Sequence, residues 1–163
     1  MLAAVRAGRK TVTRRRLLAT LLMQQEPARY RFVGLSAQGA LFEDIRAQPP
    51  TPLFPVPLPF GPSGTRLSVA EAPELHLEIT SVRAEQVRCL TAADAIAEGI
   101  SHRATGRLRW GGVVPNAATP GTFRWYRSPV EAFRGLLDSI YPTAWARNEW
   151  MWVIEFVVVP ASA

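Results

Sequence analysis

Met151-Trp152-Val153-Ile154-Glu155-Phe156-Val157-Val158-Val159 is the strongest strand signal in the chain. All but one of these residues are β-branched, aromatic or otherwise apolar. Such side chains lose freedom in a helix and pack well on a pleated surface. Trp152 and Ile154 alternate with Met151 and Val153, which reads as a core strand. Further strands follow on working outward. Residues 66–70 and 75–83 read as strands, and in the second Leu75, Leu77 and Ile79 alternate with His76, Glu78 and Thr80, so one face is buried. Residues 30–35 and 40–45 predict a hairpin around Ser36-Ala37-Gln38-Gly39. Residues 10–15 contain Thr-Val-Thr and lean toward a strand.

Helix signals are fewer and shorter. Residues 2–7 are a helical candidate that Gly8 closes. Thr91-Ala92-Ala93-Asp94 opens a short helix with a capping-box pattern, and Gly99 ends it. Ser128-Pro129-Val130-Glu131 combines a serine cap, proline at the first helical position and glutamate at the third. Phe133, Leu136, Leu137 and Ile140 are the apolar stripe of that helix. Strands outnumber helices, which predicts an α+β sheet or mixed barrel and not a doubly wound parallel fold. The expected organisation is a single domain over residues 1–163. It is interrupted by a Pro-rich excursion (46–63) and a Gly-, Arg- and Trp-rich one (101–127). Residues 49–62 hold seven of the fourteen prolines and exclude helix or central strand. Their apolar members Leu53, Phe54, Val56, Leu58 and Phe60 suggest a loop lying on the body of the protein.

With 163 residues, 48% of them hydrophobic and 20% charged, the chain has a globular composition. A net charge of +6 favours anionic partners, nucleotides and nucleic acids among them. Cys89 stands alone, excluding an intrachain disulfide or a multi-cysteine metal site. His76 and His102 show no ligand spacing and read as ordinary surface or loop residues. No apolar run reaches the roughly 18 residues of a membrane helix. Arg14-Arg15-Arg16 before the apolar residues 17–23 looks like a signal peptide. The run is short, however, and leads into Gln24-Gln25-Glu26-Pro27 without a small-x-small cleavage site. It reads as part of the folded domain, with the cytoplasm as compartment.

Cations are written almost entirely as arginine. Lys10 is the one lysine among the nineteen Lys and Arg residues. Unlike arginine, a lysine ammonium can lose its proton when desolvated and then act as base or nucleophile. A chemical role for Lys10 is therefore worth testing against chance retention.

Three separated pieces resemble one family. Gly8-x-Lys10-x-x-Thr13-x-Arg15 resembles the signature of the ASCH domain, a small β-barrel related to the PUA RNA-binding domain. The segment from Leu90 through Glu98, Gly99 and Ile100 is similar to the acidic helix that follows that family's central strands, especially in phage-type members. Trp150 to Phe156 resembles its closing strand, and Phe60-Gly61-Pro62-Ser63-Gly64-Thr65-Arg66-Leu67 is a weaker match to the turn entering a barrel strand. The resemblance implies an α+β, ASCH/PUA-like mixed β-barrel with short flanking helices. The chain departs from the family in beginning almost at the first helix, without the usual preceding strand, and in carrying Gly64-Thr65 and Ser68 where phage-type members usually have Gly-Asp and a later Trp.

Some small bacterial members are amidohydrolases that remove acyl groups from N4-acylcytidines, and others are thought to bind RNA. The resemblance implies Lys10, Thr13 and Glu98 as the catalytic set, with no metal or cofactor. The partner would be a modified nucleoside or base, with RNA as the alternative, no membrane, and a monomer or homodimer as the assembly. Amide hydrolysis needs a nucleophile, a base, a proton donor and oxyanion stabilisation. Thr13 can supply a hydroxyl, which needs an adjacent base. Lys10 is that base if neutral, although a close Glu98 favours its ammonium form. Glu98 can instead orient Lys10, or activate a water and shuttle its proton. Direct attack by water and attack by Thr13 both remain open. Arg15 can hold the oxyanion or the base carbonyl, Arg14 can hold phosphate, Trp110, Trp125, Trp145, Trp150 and Trp152 can stack on a base, with Trp152 taken as the candidate, and Asn148 stands where a pocket rim would be. In a regular strand, side chains three apart face opposite ways. Lys10 and Thr13 therefore need a turn or bulge between them to converge.

Overall fold

The computed structural model describes residues 2–160. The chain divides into two compact units, one of Met1–Val12 with Arg88–Arg147 and one of Thr13–Val87 with Asn148–Ala163.

The unit beginning at Thr13 is built on strands. β1 (Val12–Arg16), β2 (Tyr30–Ser36), β3 (Gly39–Asp44), β4 (Thr51–Pro52), β5 (Arg66–Val69), β6 (Ala72–Gln86) and β10 (Trp150–Val159) form two open sheets, ordered β1-β10-β6-β5 and β2-β3-β4. The signal that opened the sequence reading becomes β10, antiparallel to β6 from Trp150↔Gln86 to Val159↔His76. Ser81 faces Glu155 and Ile79 faces Phe156, so Thr80 is an extra residue in β6, a bulge. The bulge changes which positions face inward. Leu75 and Ile79 are buried before it, Val82 and Ala84 after it. Simple alternation therefore holds on either side of Thr80 but not across it.

The core of this unit gathers Leu17, Met23, Phe42, Val56, Ile79, Val82, Trp150, Trp152 and Ile154, among others. Phe42 meets Trp150 edge-on, with ring centroids 5.2 Å apart and an interplanar angle of 88°. The short helix α2 (Leu22–Gln25) delivers one polar group into this core. The Gln24 amide nitrogen donates to the carbonyls of Leu17 (3.2 Å) and Trp150 (2.9 Å), while its oxygen accepts from the Trp150 backbone N–H at 2.8 Å. Backbone groups at the start of β10 are thereby satisfied inside the protein. The Pro-rich stretch contributes an edge. β4 pairs with Glu43 and Asp44, and Val56 bridges to Ala40 with both backbone bonds at 2.8 Å. Proline is tolerated on such an edge. Val56 is buried, whereas Phe54 is 95% exposed, so the segment covers the body only in part.

The other unit holds α1 (Leu2–Arg6), α3 (Ala92–Ala97), β7 (Ser101–His102), β8 (Trp110–Pro115), β9 (Phe123–Tyr126), α4 (Pro129–Ile140) and α5 (Ala144–Arg147). Residues 101–127, read from sequence as an excursion, instead form an antiparallel sheet, β7-β8-β9. Both expected helix starts are present. Thr91 and Asp94 make a full capping box, and the Ser128 hydroxyl accepts from the Glu131 N–H at 3.1 Å. Gly135, mid-way along α4, packs against Tyr126, and an added Cβ would lie 2.1 Å from the Tyr126 hydroxyl, so that ring would have to move. Phe133 and Leu137 of the expected stripe are buried, but Ile140 is 56% exposed at the helix end.

The class is therefore α+β, with mostly antiparallel sheets and short helices. None of the sheets closes into a barrel among the described residues. No described helix is long and apolar enough to cross a membrane.

Candidate functional site

Lys10 is positioned by the end of α1. Gly8 takes φ 65°, and the backbone N–H groups of Arg9 and Lys10 both donate to the Ala4 carbonyl, at 2.9 and 3.0 Å. This left-handed turn stops the helix and swings the chain toward α3, where the Thr11 N–H donates to the Ala97 carbonyl at 2.9 Å. Glu98 is the C-cap residue of α3, with Gly99 following at φ 97°. Two backbone turns thus bring together side chains that are 88 positions apart.

The Lys10 Nζ donates to Glu98 Oε2 at 2.7 Å, to the Glu98 carbonyl at 2.8 Å and to the Val12 carbonyl at 2.8 Å. Both residues are buried, Lys10 9% and Glu98 3% exposed. Three acceptors match the three N–H bonds of an ammonium. The geometry suits Lys10 as a charged donor. A buried ion pair is weak evidence for stability, because apolar side chains of similar volume often serve as well. Such pairs are correspondingly worth weighing as functional.

The remaining residues of the sequence reading all belong to the unit that begins at Thr13. Thr13 is half-buried on β1, immediately after Val12, and lies in the other unit. Arg14 is buried and directed at Glu85, 3.4 Å from Nη2 to Oε2. Glu85 also accepts from Arg83 at 2.5 Å, and Arg83 reaches Glu155 as well. Burial opposes the charge of Arg83, but the hydrogen bonds it donates to Glu85 and Glu155 outweigh this and raise its pKa. Arg14 therefore belongs to a chain of alternating charges on the sheet. Arg15 is exposed, with no side-chain hydrogen bond or ion pair among the described residues. Trp152 is 4% exposed and belongs to the core cluster, so its ring packs against protein. Asn148 takes φ 53°, a left-handed conformation asparagine tolerates, and its carbonyl accepts from Gln86 at 3.3 Å. Glu149, its neighbour at the expected rim, is fully buried and clasped by Arg16.

In the unit that holds Lys10, sequence reasoning weighed Trp110 as a stacking residue but passed over the cleft it lines. A cleft of about 610 Å³ is lined by Arg9, Ile96, Ile100, Ser101, His102 and Trp110. Arg9 precedes Lys10 in the chain, and Ile96 and Ile100 stand on either side of Glu98. His102 and Trp110 are paired across β7 and β8, their ring centroids 4.6 Å apart. The available signal was tryptophan and histidine within a segment of five arginines and no carboxylate, residues 101–127. Among the described residues no cluster of three or more His, Cys, Asp or Glu is placed to hold a metal ion. Comparisons of the chain with protein-family models, with curated proteins and with solved structures find no match.

Proposed function

We propose that this chain is an ASCH-like amidohydrolase that removes the acyl group from N4-acylated cytosine or cytidine, using Lys10, Thr13 and Glu98. The observation that carries this reading is the buried contact between Lys10 and Glu98. The chain's one lysine meets a carboxylate from a distant helix, and these are two of the three residues that the family resemblance names. The order of the motifs along the chain supports the same assignment, and with it an ASCH/PUA-like relationship for the strand framework.

In this mechanism Glu98 is the base. It takes the proton from the attacking oxygen, which belongs either to Thr13 or to a water. That oxygen bonds to the acyl carbon, and the carbonyl electrons move onto the acyl oxygen. The Lys10 ammonium stabilises this oxyanion. When the C–N bond breaks, Glu98 returns the proton to N4 of the cytosine, releasing a free amine. In the threonine route a water then hydrolyses the acyl ester by the same exchange. Lys10 also fixes the Glu98 carboxylate in place.

The test is ultraviolet-monitored hydrolysis of N4-acetylcytidine by the wild type and by Lys10→Ala, Thr13→Ala and Glu98→Ala, each checked for folding. Turnover by the wild type, with loss in Lys10→Ala and Glu98→Ala, supports the reading. Retention of part of the activity by Thr13→Ala selects water as the nucleophile. Absence of turnover in folded wild type across several acyl groups moves the assignment to an RNA-binding module, in which Arg15 tracks phosphate.

A further inference from the structure

We propose that the cleft between Arg9 and Trp110 binds a planar heteroaromatic ring carrying an adjacent phosphate, that is, a nucleotide. The cleft's volume, about 610 Å³, lies within the range of small-molecule sites. All its lining residues belong to one compact unit. His102 and Trp110 supply two adjacent rings on one wall, tilted at 52°. Such a wall takes the face of a base through stacking and is tolerant of which base it is. Ile96 and Ile100 supply apolar contact, and the Ser101 hydroxyl supplies a donor and acceptor.

The charge identifies the anion. The Arg9 guanidinium has no side-chain hydrogen bond or ion pair among the described residues. It is a planar fork of donors at the edge of an aromatic cleft, a geometry matched to phosphate oxygens. Among the described residues no carboxylate lines this cleft. A second hollow of about 300 Å³, lined by Tyr126, Glu131, Arg134, Gly135 and Asp138, carries two acids to one arginine and suits phosphate less well. The site is distinct from the ion pair, since neither Lys10 nor Glu98 lines it.

The chemistry fits a free nucleotide and a nucleotide within a single RNA strand alike, and the experiment separates the two. Isothermal titration of the full chain uses CMP, cytidine, inorganic phosphate and a cytidine hexanucleotide as probes. None carries an acyl group, so the result does not depend on amide hydrolysis. CMP is expected to bind about tenfold more tightly than cytidine, the size of one charged hydrogen-bonded contact. Arg9→Ala should reduce CMP affinity to that of cytidine while leaving cytidine unchanged. Trp110→Ala should abolish binding of both, and Trp110→Phe, which keeps an aromatic ring on the wall, should retain most of it. A hexanucleotide that binds at least tenfold more tightly than CMP identifies a strand as the ligand, and equal affinity identifies the free nucleotide. Equal binding of CMP and cytidine, an unaffected Arg9→Ala, an unaffected Trp110→Ala, or no binding of any probe would overturn the proposal.

Discussion

Glu98 and Glu149 are both buried carboxylates, and each unit of the chain uses a different cation to hold its own. Glu149 meets Arg16 through two parallel contacts, Nε to Oε2 at 2.6 Å and Nη2 to Oε1 at 2.9 Å. Glu98 meets Lys10 through a single oxygen, the other ammonium hydrogens going to backbone carbonyls. The first arrangement engages both carboxylate oxygens with a group that stays protonated, which suits a fixed joint beside β10. The second is a point charge on a flexible stem. It can shift toward a developing negative charge without dismantling a fork. An Arg-rich chain thus places its lysine at one buried glutamate and an arginine at the other.

The comparison can be broken most severely at Glu149. Arg16→Met should destabilise the protein by about 3–5 kcal/mol, because it removes the bidentate cation from a fully buried carboxylate. The double variant Arg16→Met, Glu149→Leu should recover most of that loss. Urea unfolding measures both, and a single-variant cost below about 1 kcal/mol would remove the structural half of the contrast. At the other glutamate, Lys10→Arg keeps the charge but not the shape. It should lower N4-acetylcytidine turnover by about 10²–10³-fold, the scale of one oxyanion donor, with a smaller change in stability than Arg16→Met. Undiminished turnover in a folded Lys10→Arg protein would show that shape is irrelevant there.

The reciprocal exchange sharpens the same point. Arg16→Lys should cost about 1–2 kcal/mol through loss of one of two parallel bonds, yet leave turnover within about twofold. The smallest effect belongs to an ion pair at the surface. Hydrogen bonds from Arg29 to Asp44, at 3.0 and 2.7 Å, hold the Asp44 carboxyl below its usual range. A depressed folded pKa gives stability that is present above the unfolded value of about 4 and is lost as pH falls through the folded one. The Tm advantage of wild type over Asp44→Asn should therefore be present near neutral pH and vanish in strong acid. An advantage that persists in acid would assign the effect to packing.

Local signals were legible because their physics spans few residues. The Thr91–Asp94 box and the Ser128–Glu131 cap each close over three positions, and the 36–39 turn joins adjacent strands. Contacts that depend on distant partners were not. Gly111 looks like loop punctuation, yet it lies where an added Cβ would come within 2.3 Å of the Arg124 carbonyl, so sheet packing itself demands glycine. Strands of two, six and four residues, interrupted by Gly and Pro, leave too little alternation to detect. Gln24 and Glu149 sit at core positions that no hydrophobic pattern marks. The Lys10–Glu98 contact has no periodic signature, and only the motif resemblance linked its two halves. The His102–Trp110 wall was hidden for the same reason as its sheet.

The extra residue at Thr80 has an evolutionary corollary. Removing one residue almost anywhere in β6 would exchange the inward and outward sets of everything beyond it. Removing Thr80 would instead restore unbroken alternation and leave Ile79, Val82 and Ala84 pointing where they already point. The Ser63 hydroxyl would lose its contact with the Thr80 carbonyl, at 2.9 Å, and little else would be readdressed. In homologous chains, length variation in this strand should therefore collect at this single position.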